Sequence, residues 1–88
     1  MIYRQKGIFT MTTLEQVIEI LEDIDDTIDY RTETALVDDQ LLNSFALISL
    51  VGELEDAFDI RITTVDMIPA NMNSAEAMAA MVDRLQGK

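Results

Sequence analysis

Ser44 is the residue best placed to do chemistry. It follows Asn43 and opens a segment in which Leu47, Leu50, Val51, Leu54 and Phe58 recur at steps of 3, 1, 3 and 4, the spacing of one broad apolar stripe on a helix over 44–58. A serine there sits at a helix N-terminus. Free N–H groups and the positive end of the helix dipole favour a negative group such as a phosphodiester at that point. On local pattern alone, Asn43 or Ser44 is first of all a helix cap. The chain contains no histidine and no cysteine, so it lacks an imidazole base, a thiol nucleophile, a disulfide and a zinc-type ligand set. Ser44 and Ser49 have no candidate base at a useful spacing, and stand-alone hydrolase chemistry is disfavoured. Any reaction at Ser44 must be completed by another protein.

Two other groups invite a chemical reading. Asp23, Asp25, Asp26 and Asp29 suggest calcium, but counting from Asp23 the sixth position is Ile28, where an EF-hand needs glycine, and the twelfth is Thr34, where it needs glutamate. The cluster is read as a solvated helix end and loop, and no metal site is assigned. Met67, Met72, Met78 and Met81 could line an adaptable surface; Met78 and Met81 stand at helical spacing and are assigned to the core.

The elements that position Ser44 follow from periodicity. Thr12 with Glu15, or Thr13 with Gln16, makes a capping box, and Leu14, Val17, Ile18, Leu21 and Ile24 then give a first amphipathic helix over roughly 13–25. Residues 25–40 have no sustained period and form a long structured loop, with Ile28, Tyr30, Leu36 and Leu41 as candidate anchors. After the second helix, Thr63 or Thr64 can cap a single turn before Pro69 stops it. Asn73 with Glu76 forms another capping box, and Ala77, Met78, Met81, Val82 and Leu85 give the core face of a last helix over 74–86. The expected fold is all-α, a small bundle of three long helices and one short one with a long first loop.

Length and charge narrow the function. A chain of 88 residues buries only about 60 to 65% of its unfolded surface and makes one domain. Seventeen acidic residues against six basic ones give a net charge of −11, while 49% of residues are hydrophobic, too many for a disordered acidic tail. Such a surface repels nucleic-acid phosphates and anionic lipid, attracts basic proteins and keeps copies of the chain apart as monomers. The longest apolar stretch is far short of the ~20 residues of a bilayer span. Residues 1–10 carry Arg4 and Lys6 but no acid and have no secretion-signal pattern; they are expected to be a disordered extension ahead of a single domain over 11–88, in the cytoplasm.

The stretch Leu41-Leu42-Asn43-Ser44-Phe45, with the helix behind it ending Phe58-Asp59-Ile60, resembles the acyl carrier protein family, and the resemblance in order of elements extends from Met11 to Leu85. It implies that Ser44 receives 4′-phosphopantetheine from coenzyme A through a phosphopantetheinyl transferase. It further implies that an adenylating acyl or aminoacyl ligase loads the arm as a thioester, and that a downstream acyltransferase or synthase takes the cargo. The carrier itself would be no enzyme. Leu41 to Phe45, and Asn73-Ser74 opening the last helix, look most like the D-alanyl carrier branch, although Met72 and Ala75 stand where that branch tends to have Trp and Pro.

One departure falls beside the site. The family's residue before the serine is normally Asp, and Asn43 can cap the helix but brings no charge for a basic transferase residue. On the second helix Ser49, Glu53 and Asp56 share a face, with Phe45 and Ile48 beside it. The resemblance makes this helix a docking element, with Phe45 and Ile48 anchoring partners and Glu53, Glu55 and Asp56 steering them. The competing assignment is an unmodified acidic interaction module or degenerate carrier, which would tolerate loss of the Ser44 hydroxyl.

Overall fold

The computed structural model describes residues 11–87, so the expectation for residues 1–10 lies outside the described part. Four helices occur there and no strand: α1 Thr13–Ile24, α2 Ser44–Phe58, α3 Pro69–Met72 and α4 Ala75–Leu85. The fold is the all-helical bundle that the apolar stripes imply.

Helix α1 begins where Thr12 and Glu15 cap each other. The Glu15 N–H donates to the Thr12 hydroxyl at 3.1 Å and the Thr12 N–H donates to Glu15 Oε1 at 3.0 Å, satisfying amides that the first turn would otherwise leave open. Its stripe of Val17, Ile18 and Leu21 is buried. α1 packs against both α2 and α4, and α3 packs against α4. Between them Leu50, Leu54, Met78 and Val82 have no solvent exposure and Met81 has 1%, so Met78 and Met81 are core. Each such side chain contributes about 1.5 to 3 kcal/mol of transfer free energy.

Helix α2 ends at Asp59, whose backbone is left-handed at φ 54° while its N–H bonds the Glu55 carbonyl. Such a turn suits a short polar side chain better than a branched one. The next segment corrects the sequence expectation. Thr63 and Asp66 close a turn, with Thr63 N–H and hydroxyl both donating to Asp66 Oδ2 at 3.0 and 3.2 Å. The short helix starts after it, at Pro69, and does not end there. Proline at a first helical position has no N–H to leave unpaired and a φ already suited to the helix. A second correction concerns α4, which is capped by the Ser74 hydroxyl accepting Ala77 N–H at 3.0 Å, because Asn73 is engaged elsewhere.

Candidate functional site

Asn73 holds the long loop in place. Its carbonyl accepts the Leu36 N–H at 2.9 Å. Its side-chain Oδ1 accepts the N–H groups of Val37 and Asp38 at 2.9 and 3.0 Å, and its Nδ2 donates to Asp38 Oδ2 at 3.1 Å. Leu36 is thereby fixed with no solvent exposure. Its carbonyl in turn accepts Leu41 and Leu42 N–H at 2.9 and 3.3 Å. Gln40 makes the reversal with a left-handed φ of 57°. Leu42 then enters the core at 3% exposure, whereas Leu41 is 39% exposed. The anchor is therefore Leu42 and not the Leu41 that the sequence suggested. At the other end of the loop Tyr30 is buried, its hydroxyl donating to the Asp25 carbonyl at 2.6 Å. Ile28 packs only partly buried against the core.

This framework delivers Asn43 and Ser44 to the start of α2 with separate tasks. Asn43 Oδ1 accepts the Ala46 N–H at 2.8 Å and is the cap. Ser44 is the first helical residue, exposed, and its hydroxyl takes no part in capping. Beside it lies a half-open depression of about 410 Å³ lined by Val37, Gln40, Leu42, Asn43, Ser44 and Leu47. The first turn of α2 contains no acidic residue. An incoming phosphodiester would thus meet a helix N-terminus, a neutral capping amide and open space. The exposed Ser44 Oγ is therefore open to covalent substitution by an anionic group.

The other residues singled out on α2 differ in their surroundings. Phe45 is 80% exposed and Ile48 68% exposed, which excludes a core role for either. Ser49, Glu53 and Asp56 are also exposed. Glu55 stands apart, because it is half-buried and its Oε2 accepts the Ile62 N–H at 2.8 Å; its carboxylate fastens the chain that leaves α2. A second exposed apolar strip, Val65, Met67 and Ile68, was not anticipated. Its signal was present: the run from Val65 to Pro69 has no helical period and hence no face to bury.

The acidic loop builds turns. Asp25 Oδ1 accepts both the N–H and the hydroxyl of Thr27, and Asp29 Oδ1 accepts the Arg31 N–H at 3.2 Å. The Thr27 hydroxyl, then its backbone N–H, hold the Asp25 carboxyl below the usual carboxylate range. Among the described residues no three His, Cys, Asp or Glu side chains gather as a metal-ion site, and no helix is long and apolar enough to cross a membrane.

Comparison with known proteins adds sequence kinship. No family model matches the chain, and no solved structure matches it. The D-alanyl carrier proteins of Lactococcus lactis subsp. cremoris strains MG1363 and SK11 are each 36% identical to it over 70 residues, covering 77% of this chain and 89% of theirs. The D-alanyl carrier protein of L. lactis subsp. lactis strain IL1403 is 34% identical over the same extent.

Proposed function

Because this chain belongs to the D-alanyl carrier protein branch of the acyl carrier family, we propose that it carries D-alanine on a 4′-phosphopantetheine arm attached to Ser44 and presents it to partner enzymes. The observation that carries this reading is the division of labour at the start of α2: Asn43 caps the helix, so the exposed Ser44 hydroxyl is left for substitution.

Attachment needs a second protein, since the chain supplies no imidazole or thiol. In a phosphopantetheinyl transferase, Ser44 Oγ forms a bond to the pantetheine-side phosphorus of coenzyme A. Its proton passes to a base of the transferase and adenosine 3′,5′-bisphosphate departs. The arm supplies a terminal thiol on which cargo is held as a thioester. The chain itself contributes placement. Leu42 buries the loop end, Asn43 fixes the first turn, and the α2 N-terminus favours the phosphodiester charge.

The remaining partners follow from the same reading. An adenylating ligase supplies the D-alanyl group from ATP and D-alanine, and a downstream acyltransferase removes it. Phe45 and Ile48 offer apolar anchors close to Ser44, while Glu53 and Asp56 attract basic partner surfaces. The setting that provides coenzyme A and ATP is the cytoplasm.

Intact-mass measurement tests the proposal. After incubation with coenzyme A and a broad-specificity phosphopantetheinyl transferase, the chain is expected to gain one phosphopantetheine, and Ser44→Ala none. Addition of ATP, D-alanine and a D-alanine-adenylating ligase should then add one alanyl group. A folded parent chain that gains no arm would refute the carrier assignment and favour an unmodified interaction module.

A further inference from the structure

Gln40 turns the chain toward Ser44 with a left-handed φ of 57°, a conformation that glycine adopts freely and asparagine more readily than a longer side chain does. The turn is made by backbone bonds: Gln40 N–H donates to the Val37 carbonyl at 3.0 Å and Leu41 N–H to the Leu36 carbonyl at 2.9 Å. The glutamine side chain is not needed for it. That side chain is exposed, and its amide makes no hydrogen bond to another described residue. Its place is the edge of the depression of about 410 Å³ that Val37, Leu42, Asn43, Ser44 and Leu47 also line. Val37 and Leu47 are half-buried against the core, so the depression joins an apolar side of Val37, Leu42 and Leu47 to a polar edge carrying the amides of Gln40 and Asn43.

Ser44 itself lines this depression, so a group attached there begins inside it. In 4′-phosphopantetheine the phosphodiester is followed by a dimethylated carbon, a secondary hydroxyl and an amide, which are the parts that stay closest to the serine. An apolar wall with a few polar groups at its edge suits that sequence of groups. Tethering gives the arm an effective concentration in the mM range, so contacts too weak to hold a free molecule suffice. Resting on the carrier reading above, we propose that the depression is the resting site of the proximal part of the arm. Val37 and Leu47 receive the dimethylated carbon, and the Gln40 side-chain amide pairs with the hydroxyl and the first amide. Phe45 and Ile48 do not line the depression, and an arm at rest leaves them uncovered. A second copy of this chain is disfavoured as the occupant by a net charge of −11.

The test is NMR spectroscopy of the full chain with and without the arm, with attachment verified by intact mass. In the arm-bearing parent, through-space cross-peaks are expected from the arm's two geminal methyl groups to the Val37 and Leu47 methyls. Gln40→Gly keeps a residue suited to the turn and removes the amide, so it should melt no lower than the parent. Its ratio of resting to free arm should fall about threefold, the effect of one neutral hydrogen bond. Val37→Thr, which keeps the shape and removes apolar surface, should weaken the same cross-peaks. An arm-bearing parent whose geminal methyl signals match those of free pantetheine, with no cross-peak, overturns the proposal while leaving the carrier reading intact. Cross-peaks to Phe45 and Ile48 in place of Val37 and Leu47 overturn the assigned site, and cross-peaks that vanish on dilution overturn the intramolecular occupant. Undiminished cross-peaks in Gln40→Gly, or a melting temperature several degrees below the parent, overturn the role given to the glutamine. A folded parent that takes no arm removes the carrier reading, and this inference with it.

Discussion

Replacing Asn73 by alanine should loosen the site from 29 positions away in sequence. The substitution removes three side-chain hydrogen bonds, to Val37 N–H, Asp38 N–H and Asp38 Oδ2, at 2.9, 3.0 and 3.1 Å. Only the first is part-buried, so it is assigned about 1 to 1.5 kcal/mol and the two exposed ones a few tenths each, for a total of about 2 kcal/mol. An 88-residue domain has about 4 to 13 kcal/mol to lose. The melting temperature should fall by roughly 10 °C. The Asn73 carbonyl still accepts Leu36 N–H, so the variant folds, with Val37 and Asp38 released first. Amide hydrogen exchange reads this directly: Val37, Asp38 and the Leu41 and Leu42 amides behind them should exchange faster than the α1 and α4 amides. Arm attachment to Ser44 should slow without being lost, because the Leu42 anchor and Asn43 cap remain while the loop that orients them is looser. A melting temperature within about 2 °C of the parent, with unchanged exchange at Val37 and Asp38, would refute the view that Asn73 positions the site.

Three further outcomes are expected. Glu53→Lys with Asp56→Lys should leave the fold intact, since both are exposed, and slow ligase loading severalfold at low salt, with the difference shrinking as salt screens the charges; equal loading rates at low salt would argue against steering. Asn43→Asp retains a capping oxygen and adds a charge, so it should preserve stability and quicken arm attachment at matched coenzyme A if transferase recognition is limited by the missing carboxylate; no acceleration in the mass-based time course would remove that limit. Burial, and then the charges of Asp25, Glu22 and Asp26, push the Tyr30 phenol up to about 12. The folded form therefore prefers the neutral phenol relative to the unfolded chain at about 10. That contribution is complete below pH 10 and lost as pH rises through 12. Tyr30→Phe should abolish this part of the alkaline decline in a pH series of melts.

What could be read from sequence was whatever local pattern determines. The stripe of α2 and its start at Ser44 were legible because a capping residue, an apolar period and a β-branched-poor interior agree. For the start of α1 the sequence allowed two capping boxes, Thr12 with Glu15 or Thr13 with Gln16, and the structure selects the first. The reading failed where one residue type has two local uses or a distant partner decides. Pro69 can end a helix or begin one, and only the Thr63–Asp66 turn ahead of it settles the matter. Asn73 is as good a local cap as Ser74, but its side chain is claimed by Val37 and Asp38, 36 and 35 residues away, so the cap passes to the next residue, Ser74. Leu41 and Leu42 are chemically equal, and the Gln40 reversal determines which of them turns inward.

On the proposed attachment at Ser44, the same competition for caps accounts for how a chain without a catalytic base would present a free hydroxyl to a transferase. A serine at a helix start would ordinarily fold its hydroxyl back onto the first-turn amides, which would hide the oxygen and tie up its lone pairs. Asn43 prevents this by taking Ala46 N–H itself, which moves Ser44 one residue into the helix and turns its side chain to solvent. The absence of acid in the first turn would keep that point open to a phosphodiester on a protein that is otherwise strongly negative. The acids are displaced a turn or more along the same helix, to Glu53 and Asp56, where they can attract a basic partner without repelling the group being attached. On the proposed function, separation of the two charge requirements along one helix, about four turns long at 15 residues, would allow an acidic docking surface and an anion-accepting serine to coexist.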